Sequence, residues 1–319
     1  MEWLAFAWLG VIAFTFLLYV VLDGFTLGVG MFLPWLTRSE RDLAVSAILP
    51  TWDGNQTWFV FSLAALYGMF PLAFAAILPK IYLPAIFLAI MLVFRGICFE
   101  FRLKSKKGID AWDKLFALSS FFIALIHGYL VGQIVLGYSN LSQGMFFKLV
   151  TAFALVFGYG LLGTTRLMLK SNDRLFDKAK HASHQLRGIL IIALVCVVML
   201  SAWYGDFTHI SIIKGWLISI LLTIAGLLFL SFSKPLNAAT HWQAYWYVVS
   251  IFILIFTSLM IYIFPYVVPY SMTYQQAAAA PMTLLFTLIP AVIMIPLLLV
   301  YTGYAYYIFR GKTTTKLHY

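Results

Sequence analysis

Charge is what this chain has least of. Only 10% of its 319 residues are Asp, Glu, Lys or Arg, against about a quarter in a soluble domain. Acid is scarcer still, with 11 carboxylates against 21 basic residues. Cysteine is almost missing. Cys98 and Cys196 both lie inside apolar runs, which excludes a disulfide framework and a cysteine metal set and leaves them as small core residues. HExxH, CxxCH, Walker and dinucleotide glycine motifs do not occur. Internal repeats are absent, and Ala277–Ala280 is the one low-complexity tract.

What fills the space is apolar: 63% of residues are hydrophobic and the mean hydropathy is +0.95. A body of this size in water could not hide that much apolar surface, so its solvent is lipid. At ~20 residues per crossing plus a connection, the length allows about ten crossings at most. Apolar runs bounded by polar clusters give about nine segments, near 4–22, 57–78, 81–99, 114–136, 148–169, 187–204, 212–231, 243–264 and 284–308. Strand-length alternation is absent, which argues against a β-barrel. The expected fold is an all-α polytopic membrane protein forming a single transmembrane domain over 1–319. The first segment is awkward: after Asp23-Gly24 the apolar run resumes from Phe25 to Leu36, so the helix continues, tilted or broken. MEWLAF carries Glu2 and no basic n-region, no small-residue cleavage site follows, and it reads as the start of a retained helix rather than a signal peptide.

The basic residues sort by side. Arg38, Arg41, Arg102, Lys104, Lys106, Lys107, Lys170, Arg174, Lys178, Lys180, Lys234, Arg310, Lys312 and Lys316 fall on one face, and Lys80, Lys148 and Lys214 on the other. The positive-inside bias therefore predicts a periplasmic amino terminus and a cytoplasmic carboxyl terminus. The net charge of +10 is thus a topology signal, not a nucleic-acid patch. Trp242, Tyr245, Trp246 and Tyr247 read as an interfacial belt.

Carboxylates in apolar helices are costly and mark candidate sites. Most acids sit in basic loops, where solvated loop charge explains them. Asp23, Asp53 and Glu100 do not, and with Arg95 they are expected at a similar depth near the cytoplasmic ends of the first three spans. Asp23 stands in LDGFTLGVG, where Gly24 and Gly28 suit a close helix crossing. Asp53 stands in PTWDGNQTW as either a plain N-cap or the mouth of a proton path. Gln56 and Thr57 share its helix face, with Trp52 and Asn55 beside it. Arg95 and Glu100 stand in FRGICFEFR, five apart and so not on one face. Each is expected to pair across helices, Arg95 with Asp23 or Asp53. His127 is the one mid-span histidine; His181, His184, His209, His241 and His318 lie in loops or at membrane edges. A single histidine without a facing ligand is a weak haem candidate, and no metal site is expected.

These motifs, in this order within the first 102 residues, resemble subunit II of the cytochrome bd family of bacterial quinol oxidases, including its cyanide-insensitive branch. FPYVVPYSMTYQQAAAAP and PLLLVYTGYAYYIFRGK resemble that family's last loop and last helix. Through 110–240 the likeness lies in span count and loop charge alone. The resemblance implies a multi-pass protein of the bacterial inner membrane, built as two four-helix bundles plus one helix. It implies a partner, subunit I, that carries two b-type haems and one d-type haem, or a third b-type haem in its place. Quinol and O₂ would be the substrates of the complex. This chain would bind no haem, support assembly, supply part of a proton path and an O₂ route, and hold a structural quinone in some members. A small single-span subunit accompanies some such complexes. The family's LDG and WDGN aspartates match Asp23 and Asp53, and its RG arginine and following glutamate match Arg95 and Glu100. One departure is Thr26, where many members carry a second acid. A proton-coupled secondary transporter is the alternative, although the polar residues gather near one face rather than the midplane.

Overall fold

The computed structural model describes residues 2–105, 107–138, 144–204, 210–237 and 242–313. The readings of His209, His241 and His318, and of Lys106 and Lys316, lie outside the described residues. The chain is helical nearly throughout. Its elements are α1 (Glu2–Phe32), α2 (Arg38–Ile48), α3 (Trp52–Met69), α4 (Pro71–Lys104), α5 (Ile109–Val135), α6 (Met145–Lys170), α7 (Asp173–Tyr204), α8 (Ile212–Ser231), α9 (Ser233–Asn237) and α10 (Trp242–Ile263), followed by the short hairpin β1 (Tyr266–Val268) and β2 (Met272–Thr273), then α11 (Tyr274–Ala277) and α12 (Pro281–Ile308). Eight of the described helices are long and apolar enough to cross a membrane. The ninth expected segment corresponds to α3, whose polar first turn lowers its apolarity.

The first helix continues past Leu22 as expected, and it is unbroken: α1 runs through Asp23-Gly24 to Phe32. At 1.5 Å per residue its 31 residues reach about 47 Å, well beyond a ~30 Å hydrocarbon layer. The segment drawn at 57–78 is two helices, because the chain breaks at Phe70–Pro71. Proline presets the first turn of a new helix and disfavours helical backbone in the residue before it. α4 then bends at Ile81, where φ −117° and ψ 15° leave the helical region. Pro84 has no N–H to close the turn on the Lys80 carbonyl, which accounts for the bend.

α1, α3, α4 and α5 pack together, and α6, α7, α8 and α10 form a second group. α6 joins the groups through α1 and α5, and α12 lies against α1 and α3. The α1–α6 crossing explains the glycines. A Cβ at Gly28 would overlap the Tyr159 carbonyl oxygen, and one at Gly163 would overlap the backbone of Gly28. The two backbones are in direct contact there, which only glycine permits. α2 is an amphipathic helix in the basic connection, started by a capping box in which Thr37 and Glu40 satisfy each other's backbone.

Candidate functional site

The first helix group encloses an ion pair. Asp23 of α1 and Arg95 of α4 are both wholly buried. Arg95 Nη1 donates to Asp23 Oδ2 at 2.7 Å and Nη2 donates to Oδ1 at 2.5 Å. This two-pronged pairing suits the planar guanidinium and cancels charge that would cost several kcal/mol if left alone. Asp23 can therefore sit inside an unbroken helix. Tyr19 lies one turn earlier on α1, and its hydroxyl is 3.3 Å from His127 Nε2 on α5. Rings of Tyr19, Phe59 and Tyr159 stand 5.4, 6.2 and 6.1 Å from the His127 ring. Three aromatic rings thus surround the imidazole. Among the described residues no group of three or more His, Cys, Asp or Glu is placed to hold a metal ion. His127 is a polar core residue of the first helix group.

The remaining candidates divide by helical phase. Asn55 is buried; its amide donates to the Leu22 carbonyl at 2.8 Å, and its Oδ1 accepts from the Tyr306 hydroxyl of α12 at 2.9 Å. It ties α3 to α1 and α12 together. Trp52 stacks on Phe99 of α4 with ring centroids 4.4 Å apart. Asp53 and Thr57 are exposed and Gln56 is half-buried, and Thr57 donates to the Asp53 carbonyl at 3.2 Å. The residue preceding α3 is Thr51, so Asp53 belongs to the first turn and is not the N-cap.

Glu100 corrects one expectation. It is exposed and pairs with Lys104 on its own helix at 3.0 Å, not across helices. The three carboxylates therefore do not form one cluster. The reason is rotation: a helix turns about 100° per residue, so five residues place Glu100 roughly 140° around α4 from Arg95. Asp53 is likewise turned away from the neighbouring Asn55. One carboxylate is locked inside and two face out, flanking the Trp52–Phe99 stack from α3 and α4.

A second polar network was missed by reading loop charges as solvated. Asp113 of α5 is buried and accepts from Arg102 Nε at 2.5 Å, while Arg102 Nη2 donates to Asp42 at 2.7 Å. Arg41 donates to Asp110 at 2.9 Å and lies 3.6 Å from Asp113. Lys178 of α7 reaches Glu40 of α2 at 2.7 Å. Burial works to raise the Glu40 pKa, but the hydrogen bonds from Lys178 and the Thr37 backbone outweigh it and hold the carboxyl below its ordinary value. The network clamps α2 across the basic ends of α4, α5 and α7. Its signal was present in the interleaving of Asp42, Asp110 and Asp113 with Arg38, Arg41 and Arg102, and in the Thr37-x-x-Glu40 spacing.

Comparison with known proteins places this geometry. The profile of the family described as cytochrome bd terminal oxidase subunit II matches residues 4–309. The chain is 30% identical over 224 residues to the cytochrome bd-I ubiquinol oxidase subunit 2 of Escherichia coli K12, covering 64% of this chain and 58% of that protein. It is 26% identical over 281 residues to a probable cytochrome oxidase subunit 2 of Haemophilus influenzae, covering 73% and 74%. It is 28% identical over 216 residues to the cytochrome bd ubiquinol oxidase subunit 2 of Bacillus subtilis, covering 62% and 63%. The fold superposes on a chain of the bd oxidase from Geobacillus thermodenitrificans with a TM-score of 0.81 at 16% identity, covering 95% and 97%.

Proposed function

The chain belongs to the cytochrome bd terminal oxidase subunit II family, and we propose that it serves as the haem-free partner of a haem-bearing subunit I in a quinol oxidase of the bacterial inner membrane. The complex would oxidise quinol, reduce O₂ to water and draw the protons for that reduction from the cytoplasm. Two b-type haems and a d-type or third b-type haem would reside in subunit I. A structural quinone, an O₂ route through this chain and a small single-span subunit are finer parts of the same reading.

The observation that carries the proposal is the outward-facing strip of Asp53, Gln56 and Thr57 on an anchored helix. A carboxylate on the outer face of a membrane helix is expensive against lipid. Covered by a partner subunit, the strip becomes instead a polar seam between the two chains. Asp53 would take a proton at the cytoplasmic side and release it along the seam towards the O₂ site. Glu100, at the neighbouring end of α4, would draw protons towards the mouth. The Asp23–Arg95 pair and Asn55 act through position: they fix α1, α4 and α12 around α3 and set the direction in which Asp53 points.

The test is Asp53→Asn in the purified complex, reading O₂ consumption with quinol together with the haem absorption bands. Slowed turnover with intact haem content is expected. Full turnover would remove the proton-path role and leave the strip as packing.

A further inference from the structure

Arg166, one turn from the basic end of α6, has no counter-charge among the described residues. It is 8% exposed. Its guanidinium carbon lies 4.9 Å from the ring centroid of Phe25 on α1, 5.2 Å from that of Tyr245 on α10 and 5.3 Å from that of Tyr306 on α12. Rings satisfy the faces of a guanidinium but not its N–H edges, which need acceptors. Nε is buried with no hydrogen-bond partner, and among the described residues Arg166 makes no ion pair. The neighbouring amines do not help. Lys170 is turned onto the Phe309 and Gly311 carbonyls, and Lys312 onto those of Met168 and Ser171. Lys170 thus caps the carboxyl end of α12 and Lys312 that of α6, so three cations gather where four helices meet, and among the described residues no carboxylate pairs with any of them.

We propose that Arg166 is the base of a binding site for the phosphate of an anionic phospholipid headgroup, seated where α1, α6, α10 and α12 converge. The position favours a lipid. Arg166 lies about 6 Å from the end of α6, on the side where the positive-inside bias puts the cytoplasmic headgroups. Basic pockets between spans on that side attract anionic headgroups. A phosphate also matches the two-pronged guanidinium edge. Bound there, the lipid would neutralise the cluster and tie α12 to both helix groups. This goes beyond the proton-path reading and does not rest on it.

The test uses the whole complex. Wild type and Arg166→Gln are stripped of loose lipid, and the phosphatidylglycerol that remains bound is counted by native mass spectrometry. Wild type should keep one phosphatidylglycerol that Arg166→Gln loses, and Arg166→Lys should keep it in part. Loss of charge-assisted hydrogen bonds corresponds to about a tenfold weaker hold or more. Should Arg166→Gln not assemble, the wild-type complex alone carries the comparison. Its thermal midpoint should rise in nanodiscs containing phosphatidylglycerol relative to phosphatidylcholine alone, and inorganic phosphate should not reproduce the rise. Equal retention by wild type and Arg166→Gln, no response to phosphatidylglycerol, equal protection by inorganic phosphate, or a quinone recovered from the site instead would each overturn the proposal.

Discussion

Asp23 and Asp53 are the same residue type on neighbouring helices, and they end in opposite situations. Asp23 is wholly buried, held by both prongs of Arg95. Asp53 faces outward, and among the described residues it makes no ion pair. Arg95 and Glu100 repeat the contrast on α4. The difference teaches that composition marks a charged residue in a membrane helix as consequential, while helical phase decides whether it locks the bundle or meets a partner. The inward set should govern assembly and the outward set should govern turnover.

The largest way to break the comparison is to unpair the lock. Asp23→Asn leaves the Arg95 guanidinium buried and uncompensated, which costs about 3–5 kcal/mol. The yield of assembled, haem-loaded complex from membranes should collapse, and adding Arg95→Gln should recover part of it. Normal yield from the single variant would show that the pair does not hold the bundle.

Next is the backbone crossing that seats α1. Gly28→Ala puts a methyl group into the Tyr159 carbonyl, and the overlap must be relieved by separating α1 from α6. Overpacking of this kind costs about 1–3 kcal/mol, read as a lower thermal midpoint of the complex. An unchanged midpoint would mean the crossing yields freely.

A gentler probe sharpens the boundary between the sets. Tyr306→Phe removes one hydrogen bond to Asn55, about 1 kcal/mol. It should lower the midpoint slightly, with turnover falling only as far as the first turn of α3 loosens. A large turnover loss at full stability would move Asn55 from the anchoring set to the proton-carrying one.

The smallest effect is at Glu40, outside the spans. Its carboxyl is held below the ordinary value, so the stability it adds is fully present above the usual glutamate value of about 4.3 and is lost as pH falls through the lowered folded value. Glu40→Gln should therefore be less stable near neutrality and show a flatter loss on acidification. Parallel acid profiles for wild type and Glu40→Gln would place the acid sensitivity elsewhere.

Much of this was legible before the fold. The spans follow from long apolar runs, and WDGN, LDG and FRG single out Asp53, Asp23 and Arg95 as charges set in apolar surroundings. Phase was harder to read. Arg95 and Glu100 are too close in sequence for span assignment to say which one turns inward. The break at Phe70–Pro71 was hidden because both flanks are apolar, although Pro71 carried the signal. The clamp of Arg102, Asp113 and Asp42 escaped because each residue alone reads as a loop charge; its burial arises only when α2 folds across α4 and α5. The ring cage of Arg166 escaped as well, because it draws on three helices far apart in sequence.

The most direct test of the central claim, that the outward strip carries protons while the buried pair only positions it, is single-turnover proton uptake by the purified complex, followed with a pH indicator as O₂ is reduced. Asp53→Asn should slow uptake by about 10²-fold or more, the scale of a lost positioned acid–base group, and Asp53→Glu should restore most of it. Uptake at the wild-type rate in Asp53→Asn would contradict the account.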